Sequence, residues 1–487
     1  MNHEIVKVNF MKVIKYFYIV LVFGALVSCK KLDEKPASVF TTNQFYRTQQ
    51  DAIAAVNSIY HAALNNGGVT MYNRLIHQAV EILSDDAIAS QRVTNADVRA
   101  MAALTYSPTN DRIEELWKQH YIAINRANIA IDRIPNIDMD TTLRTRLVNE
   151  AKFLRGLMYF NLVRLWGEVP LVLHEVNSLD KSTIHIAKSP VETVYTQIIN
   201  DLTDAEKLPT FIGGVDAGRA TGGAAKALLS KVYLTRREWD KAAAKALEVI
   251  NGPYGYDLFE DYADVFRAET KNGKEHIFSA QCKSFVNGQG NRLASSATPV
   301  GIPGIAAAGT DEPMLPATYE LFSENDKRRD VTFFTQIVSP VNGNVYTFPP
   351  RFFKYFDPST ATNPTESPRN IPIIRFAEVL LIYAEAVNEI SGPGNAYDAI
   401  NRVRKRAGLE PLSGLDQNSF REAVYLERRL ELMFEFHRWF DLIRTKRMVS
   451  ALHAVGKTNA SEKHYLHPIP QREIDLNPKL VQNEMWR

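Results

Sequence analysis

Cysteine is scarce in this sequence, because its 487 residues contain only Cys29 and Cys282. Two thiols exclude a disulfide-rich scaffold, and a chain of this length with 45% hydrophobic residues can bury a core that needs no disulfides. An excess of charge of either sign is missing too, since 57 Lys and Arg stand against 55 Asp and Glu. No basic run carries interleaved aromatic residues, so the sequence predicts no nucleic-acid partner.

Catalytic motifs are equally scarce. The sequence has no HExxH, no GxSxG and no CxxC, and its 11 histidines lack the spacing of metal ligands. We therefore predict no catalytic residue, no metal and no cofactor. One alternative stays open, because the irregular segments are rich in carboxylates and Asp85-Asp86 resembles half of a glycosidase pair. A secreted glycoside hydrolase would still need a distant carboxylate, since the two groups must lie about 5–9.5 Å apart.

The N-terminus carries the features of an export signal. The apolar run from Tyr16 to Val27 follows Lys12 and Lys15 and is too short to cross a membrane. We predict that residues 1–28 are a signal peptide, with either Met1 or Met11 as the true start.

The signal is followed by a cysteine. The string LVSC, ending at Cys29, resembles a bacterial lipobox, which implies cleavage before that residue and acylation of its thiol. Residues 29–42 would then be a lipidated tether. The alternative is an ordinary secreted protein with a stray cysteine. The other thiol, Cys282, is predicted to be a core residue of a strand-like run.

The rest of the chain, 43–487, is predicted to be a single domain with a mainly α fold. Apolar residues at helical spacing predict helices at 43–64, 113–134, 142–166, 191–208, 222–236 and 239–250. The strings GGAAKALLSKVYL and KAAAKALEVI, separated by the turn REWD, are typical of a tetratricopeptide-like helical hairpin. We therefore predict a scaffold of such hairpins over about 43–250 and 371–450.

The C-terminal segment 371–444 is predicted to form three helices, and the third is both bulky and charged. Its carboxylates Glu431 and Glu435 lie on one helical face, which would suit an acid/base pair. Buried charges persist only when they are paired, so we favour a structural ion-pair network instead. The i,i+3 spacing predicts the pairs Arg428–Glu431, Glu435–Arg438 and Asp441–Arg444.

Several long strings of this sequence resemble those of one family. They are FYRTQQDAIAAVNSIYHAA and AKFLRGLMYFNLVRLWGEVPLV upstream, and IIRFAEVLLIYAEA, AINRVRKRAGL, ERRLELMFEFHRWFDLIR and YLHPIPQREIDLNPKLVQN near the C-terminus. The chain resembles the SusD/RagB-type lipoproteins, nutrient-binding proteins of the Bacteroidetes outer membrane. The resemblance implies an outer-membrane lipoprotein, anchored at Cys29 and facing the cell exterior. It would capture oligosaccharides and deliver them to a SusC-like TonB-dependent transporter, and a peptide-capturing member stays an alternative.

Ligand recognition is predicted in irregular segments. Residues 251–370 lose helical periodicity and are dense in Gly, Pro, Asn, Ser and Thr, so we predict a loop-rich ligand-binding insertion there. Flat aromatic faces and Asn, Asp or Arg hydrogen-bonding groups, which sugars require, occur together in 65–110 and 280–356. The candidate ligand-binding residues are Tyr72, Asn73, Asp86, Tyr106, Phe285, Arg292, Tyr346 and Phe352.

Overall fold

A computed structural model describes residues 45–64, 71–90, 92–177, 180–286, 288–293, 298–306, 311–313, 315–363 and 365–487. The predicted signal peptide, the tether and Cys29 lie outside these residues. The other cysteine, Cys282, is buried as predicted. None of the described helices is long and apolar enough to span a membrane.

Helices make up most of the described structure. They are α1 (Gln49–Ala63), α2 (Ala96–Ala102), α3 (Asp111–Arg133), α4 (Thr141–Trp166), α5 (Lys181–Ile184), α6 (Val191–Ala205), α7 (Gly222–Arg236), α8 (Trp239–Ile250), α9 (Leu315–Glu320), α10 (Arg329–Thr332), α11 (Phe376–Ser391), α12 (Tyr397–Arg406), α13 (Gln417–Glu431), α14 (Arg438–Arg444), α15 (Met448–Ala454) and α16 (Gln471–Leu476). The predicted bounds of α3, α4, α7 and α8 differ from these by at most two residues.

The scaffold is a continuous stack of helical hairpins. α1 packs on α3, and the series continues through α4, α6, α7 and α8. α8 then packs on α11, which also contacts α12 and α13. The chain therefore leaves the stack after Ile250 and returns to the same place after the insertion. The mainly α, tetratricopeptide-like fold predicted from the sequence is confirmed.

Small residues allow the helices of the stack to approach closely. The α7 alanines Ala224, Ala225 and Ala227 are fully buried. A Cβ atom added to Gly156 of α4 would lie 3.2 Å from Leu202 of α6, which is tighter than ordinary contact. These positions explain why the alanine-rich strings predicted hairpins correctly.

Short antiparallel strand pairs accompany the helices. The strands are β1 (Ala87–Ala89), β2 (His276–Ala280), β3 (Asp311–Pro313), β4 (Phe333–Val338), β5 (Val345–Phe352) and β6 (Ile371–Arg375). β1 pairs with β3, β2 with β6, and β4 with β5. Residues 371–375, predicted as the start of a helix, instead form a strand buried on both faces. The partner strand β2 supplies the ladder hydrogen bonds and overrides the helical periodicity.

Two further predictions of local structure were wrong. The segment 65–110, predicted as irregular, contains α2 and two π-helical stretches, Met71–Leu75 and His77–Glu81. The C-terminal segment predicted as one long helix is interrupted between α13 and α14. Within that interruption, Phe434 and Phe436 have φ of 61° and 68°, a region that bulky residues rarely adopt.

Tertiary contacts hold this interruption in place. The ring of Phe434 stacks on that of Phe352, with 4.1 Å between centroids. The backbone N–H of Phe436 donates to the carboxylate of Glu81 at 3.1 Å. Both partners are distant in sequence, so helical periodicity carries no signal for the break.

Candidate ligand-binding site

The buried carboxylates near α13 form a structural network. Glu431 and Glu435 are 0% and 2% exposed, and Arg375 binds both at 2.7 Å. Lys354 binds Glu435 at 2.8 Å, and Arg406 also contacts Glu431. All of these side chains are buried and ion-paired. Glu431 and Glu435 therefore have the structural ion-pair role that we favoured from the sequence.

The predicted i,i+3 pairs hold only in part. Asp441 and Arg444 pair at 2.7 Å as predicted. Arg428 binds Asp441 at 3.0 Å, and Arg438 binds Asp85 at 2.8 Å. Glu435 lies in the interruption between α13 and α14, which separates it from Arg438. Arg428 and Glu431 both lie on α13, but they pair with residues of other elements.

The adjacent carboxylates Asp85 and Asp86 are also committed to ion pairs. Arg438 donates to both oxygens of Asp85 at 2.8 Å, and Arg429 contacts Asp86 at 2.6 Å. The two aspartates are 2% and 0% exposed. They therefore join the loop before β1 to α13 and α14.

Five of the candidate ligand-binding residues are buried, which contradicts their prediction as ligand contacts. Tyr72, Asn73, Asp86, Tyr106 and Phe352 are each 4% exposed or less. The Tyr72 hydroxyl accepts a hydrogen bond from Asn161, and the Tyr106 hydroxyl contacts a ring nitrogen of His467 at 3.0 Å. These side chains have structural partners and offer no open face to a ligand.

Asn73 nevertheless brings the two predicted ligand segments together. Its amide nitrogen donates to the carbonyl of Gly290 at 2.7 Å, and its amide oxygen accepts from the N–H of Arg292 at 2.6 Å. Residues 281–286 and 288–293, here called the Phe285 loop, are fixed to the π-helical segment by this side chain. The half-buried Arg292 is thus held through its backbone.

Phe285 is the predicted residue with the most open aromatic face. It is 74% exposed and lies on the Phe285 loop with a φ of 54°. A left-handed conformation costs a bulky residue about 1–2 kcal/mol and persists only when neighbouring contacts impose it. Here the Phe285 N–H donates to a carboxylate oxygen of Glu366 at 2.8 Å, and Asn291 pairs with the backbone of Ser367.

Tyr346 lies elsewhere on the insertion. It is half-buried on β5, and its hydroxyl accepts a hydrogen bond from Asn342 at 3.1 Å. The β4–β5 hairpin also exposes Val338, Val341 and Val345. No contact in the described structure joins Tyr346 to the Phe285 loop.

A cleft of about 410 Å³ opens at the base of the Phe285 loop. We call it the amide cleft, because side-chain amides contribute much of its polar lining. The lining residues used below are Asn57, Tyr60, His61, Arg219, Gln281 and Gln289. Helix α1, the loop between α6 and α7, and the Phe285 loop each supply part of it.

The charges of the amide cleft are internally balanced. Arg219 binds Glu150 at 2.8 Å and Asp216 at 2.9 Å, so its guanidinium is neutralised. Burial and the nearby Arg126 lower the pKa of His61, which favours the neutral imidazole at pH 7. The cleft therefore presents amides, a phenol and a neutral ring, which suit the hydroxyl groups of an uncharged ligand.

Gly218 explains how this cleft is closed on one side. Its φ of +92° is unfavourable for other residues, and an added Cβ would lie 2.5 Å from the amide of Gln281. Glycine at this position lets the loop between α6 and α7 lie directly against the Gln281 amide, and any Cβ there would require that side chain to move. In the sequence, this side of the cleft is marked by the glycine-rich string GGVDAGR. None of its residues was among the candidate ligand-binding residues.

Comparison with known proteins identifies the family to which this chain belongs. A model described as "SusD family" matches residues 334–486, and one described as "Starch-binding associating with outer membrane" matches residues 30–234. SusD-like protein P2 of Formosa agariphila is 32% identical, and the alignment covers 97% of this chain and 99% of that protein. The chain belongs to the SusD family.

More distant relatives agree with this assignment. Starch-binding protein SusD of Bacteroides thetaiotaomicron is 23% identical over 86% of this chain and 87% of its own. A solved laminarin-binding SusD-like protein has a TM-score of 0.78 and 27% identity, covering 90% of this chain and all of its own. The resemblance seen in the sequence strings is thereby confirmed.

Proposed function

We propose that this SusD-family protein is a surface glycan-capture protein that binds oligosaccharides without cleaving them. The observation that carries the proposal is Phe285, an aromatic side chain that is 74% exposed on a loop whose strained backbone is held by Glu366. The same loop supplies Gln281 and Gln289 to the neutral, amide-lined cleft, so a flat apolar ring and polar groups together match the two chemical faces of a pyranose. The relatives named as starch-binding and laminarin-binding proteins support the same reading.

The direct test is a binding measurement on the full-length protein in detergent. Affinity electrophoresis and calorimetry would screen starch, laminarin, other polysaccharides and oligopeptides. Micromolar to millimolar affinity corresponds to about 4–8 kcal/mol, so the assays must detect weak ligands. We expect one class of glycan to bind and no reducing ends to appear.

The variant Phe285→Ala locates the site. We expect it to weaken glycan binding about tenfold, since losing an aromatic contact costs about 0.5–1.5 kcal/mol. The matched control is Leu476→Ala, which removes another large apolar side chain, 63% exposed, from α16. Equal affinities of the two variants would contradict the role of Phe285. Binding of peptides alone would favour the peptide-capturing alternative, and release of reducing ends would favour the hydrolase.

We further propose that acylation of Cys29 tethers the protein to the outer membrane, facing the exterior. The lipobox-like string before Cys29 and the outer-membrane description of the matching family model support this. Cys29→Ala should move the protein from the detergent phase to the aqueous phase in a phase-partitioning experiment. Retention of the variant in the detergent phase would refute the tether. Protease accessibility on intact cells would test the orientation.

Delivery of the captured glycan to a SusC-like TonB-dependent transporter completes the proposal and rests on family membership. Affinity purification from solubilised membranes should recover such a transporter with the native chain. Recovery of the native chain without any outer-membrane transporter would argue against this step.

A further inference from the structure

A second cleft lies on the other side of the loop between α6 and α7. Its volume is about 170 Å³, and we call it the tyrosine cleft. The lining residues used below are Phe211, Tyr254, Tyr256, Asn272, His276 and Ser279. Gly218 and Arg219 line both this cleft and the amide cleft, so the two are immediate neighbours.

The aromatic side chains of the tyrosine cleft are held in place before any ligand arrives. Tyr254 and Tyr256 stack with 5.8 Å between centroids and an interplanar angle of 23°. Both rings lie over Gly223 of α7, where an added Cβ would be 2.7–2.9 Å from them. The Tyr256 hydroxyl is 3.0 Å from that of Thr221. Ordered rings lose little conformational freedom when a ligand binds.

Phe211 provides an open ring at the rim of this cleft. It is 77% exposed, and an added Cβ on Gly213 would lie 2.8 Å from the ring, so the loop packs against one edge of it. An aromatic side chain this exposed leaves most of its apolar surface in water. Covering it with the apolar face of a sugar would recover part of that cost.

The floor of the tyrosine cleft contains polar atoms that lack partners. His276 is 7% exposed and Ser279 is 1% exposed. The His276 Nε2–H donates to the carbonyl of Val265 at 2.8 Å, which leaves Nδ1 as an acceptor. Neither that Nδ1 nor the Ser279 hydroxyl has a hydrogen-bond partner in the part of the chain that the structure describes. Buried polar atoms without partners are unfavourable, and a small shift of either side chain toward the cleft would let it hydrogen-bond to a ligand hydroxyl or a water.

Side-chain amides join the two clefts. Asn272, which lines the tyrosine cleft, and Gln281, which lines the amide cleft, exchange two hydrogen bonds of 2.9 Å. Between the clefts lies Gly218, whose backbone packs against the Gln281 amide. The divide is therefore made of amide and backbone groups, which can hydrogen-bond to a ligand that lies across it.

We propose that the tyrosine cleft is a second glycan subsite, so that a neutral oligosaccharide binds across both clefts with pyranose rings against Phe285 and Phe211. This inference rests on the proposed function and adds to it a longer ligand and a second point of contact. Phe211 and the tyrosine pair supply apolar faces, while the amide divide and the polar floor supply groups for the sugar hydroxyls.

The test compares two exposed phenylalanines, Phe211 at the rim of the tyrosine cleft and Phe285 on the loop that supplies Gln281 and Gln289 to the amide cleft. Laminarihexaose and maltohexaose are the probes, each titrated against the native chain, Phe211→Ala and Phe285→Ala, with Leu476→Ala as control. We expect Phe211→Ala to weaken binding of the recognised hexasaccharide about three- to tenfold. Its thermal midpoint should match that of the native chain, since the side chain is mostly in solvent.

Hydrogen exchange provides a second readout that does not depend on a variant. Saturation with the recognised hexasaccharide should slow exchange at residues 210–214 and at 281–293. Protection confined to 281–293, with unchanged affinity of Phe211→Ala, would overturn the second subsite and leave the proposed function intact. Absence of binding to every glycan tested would instead overturn both.

Discussion

Arg375 lies at the centre of the buried ion-pair network, and removing it gives the sharpest test of how much that network contributes to stability. Arg375 is fully buried and donates to Glu275 at 2.6 Å and to Glu431 and Glu435 at 2.7 Å. Its second terminal nitrogen donates to the backbone carbonyl of Glu431 at 2.8 Å. One side chain thus connects β6 to the residue that precedes β2, to α13 and to the interruption that follows α13. The perturbation is Arg375→Met, which keeps the bulk and removes the charge.

The expected loss of stability follows from the carboxylates that Arg375→Met leaves buried. Breaking a buried ion pair by removing one partner costs about 3–5 kcal/mol, because the other charge stays buried. Arg375 serves three carboxylates, but each of them keeps another cation, either Arg406 or Lys354. We therefore expect a loss of about 4 kcal/mol and not three times that value. Native stabilities are only about 5–15 kcal/mol, so this loss is large.

Urea unfolding followed by circular dichroism measures the effect, with Arg447→Met as the matched control. Arg447 pairs with Glu422 on the surface, where the two side chains are 43% and 58% exposed, and such pairs contribute about 0–1 kcal/mol. At pH 5 the deficit of Arg375→Met should shrink, because protonation relieves the uncompensated carboxylates. The reasoning would be refuted if, at pH 7, Arg375→Met and Arg447→Met lowered the free energy of unfolding by amounts within about 1 kcal/mol of each other.

Three further predictions concern single side chains. Lys457→Met should lower the free energy of unfolding by about 2–4 kcal/mol in the same urea assay, since the ammonium donates to three backbone carbonyls of 82–87 at 2.6–2.8 Å. Gly218→Ala should displace Gln281 and weaken hexasaccharide binding in calorimetry, and unchanged affinity would contradict the close approach. Burial opposes ionisation of Glu431, but the neighbouring arginines outweigh it and lower its pKa to about 2. Its stabilising contribution is therefore complete above the unfolded pKa of about 4.3 and falls as pH drops toward 2, which acid titration of the native chain against Glu431→Gln would detect.

Local patterns predicted much of the scaffold. Helices α7 and α8 have the predicted bounds because alanine spacing and the intervening turn act within a few residues of each other. The strand β6 and the interruption after α13 were missed because distant partners decide them. Ile371–Arg375 pairs with β2, and the ring of Phe434 stacks on Phe352. Such contacts leave no periodic signal in the segment itself.

The ligand-site prediction was limited for a related reason. Residue type indicated that aromatic and amide side chains would be needed, and Phe285 is exposed as a ligand-binding ring must be. Tyr72 and Phe352 have the same chemical character but are buried. Exposure depends on what covers each side chain, and the covering residues come from other elements.

The sequence alone determined the class of this protein, its hairpin scaffold and its balanced charge, because these depend on composition, short-range spacing and the agreement of long strings with one family. The tertiary structure decided which charges pair, which aromatic rings remain open, and that the loop containing Gly218 lies between two clefts. Burial and hydrogen bonding between distant segments set those outcomes, since a side chain's environment is created only when the chain folds.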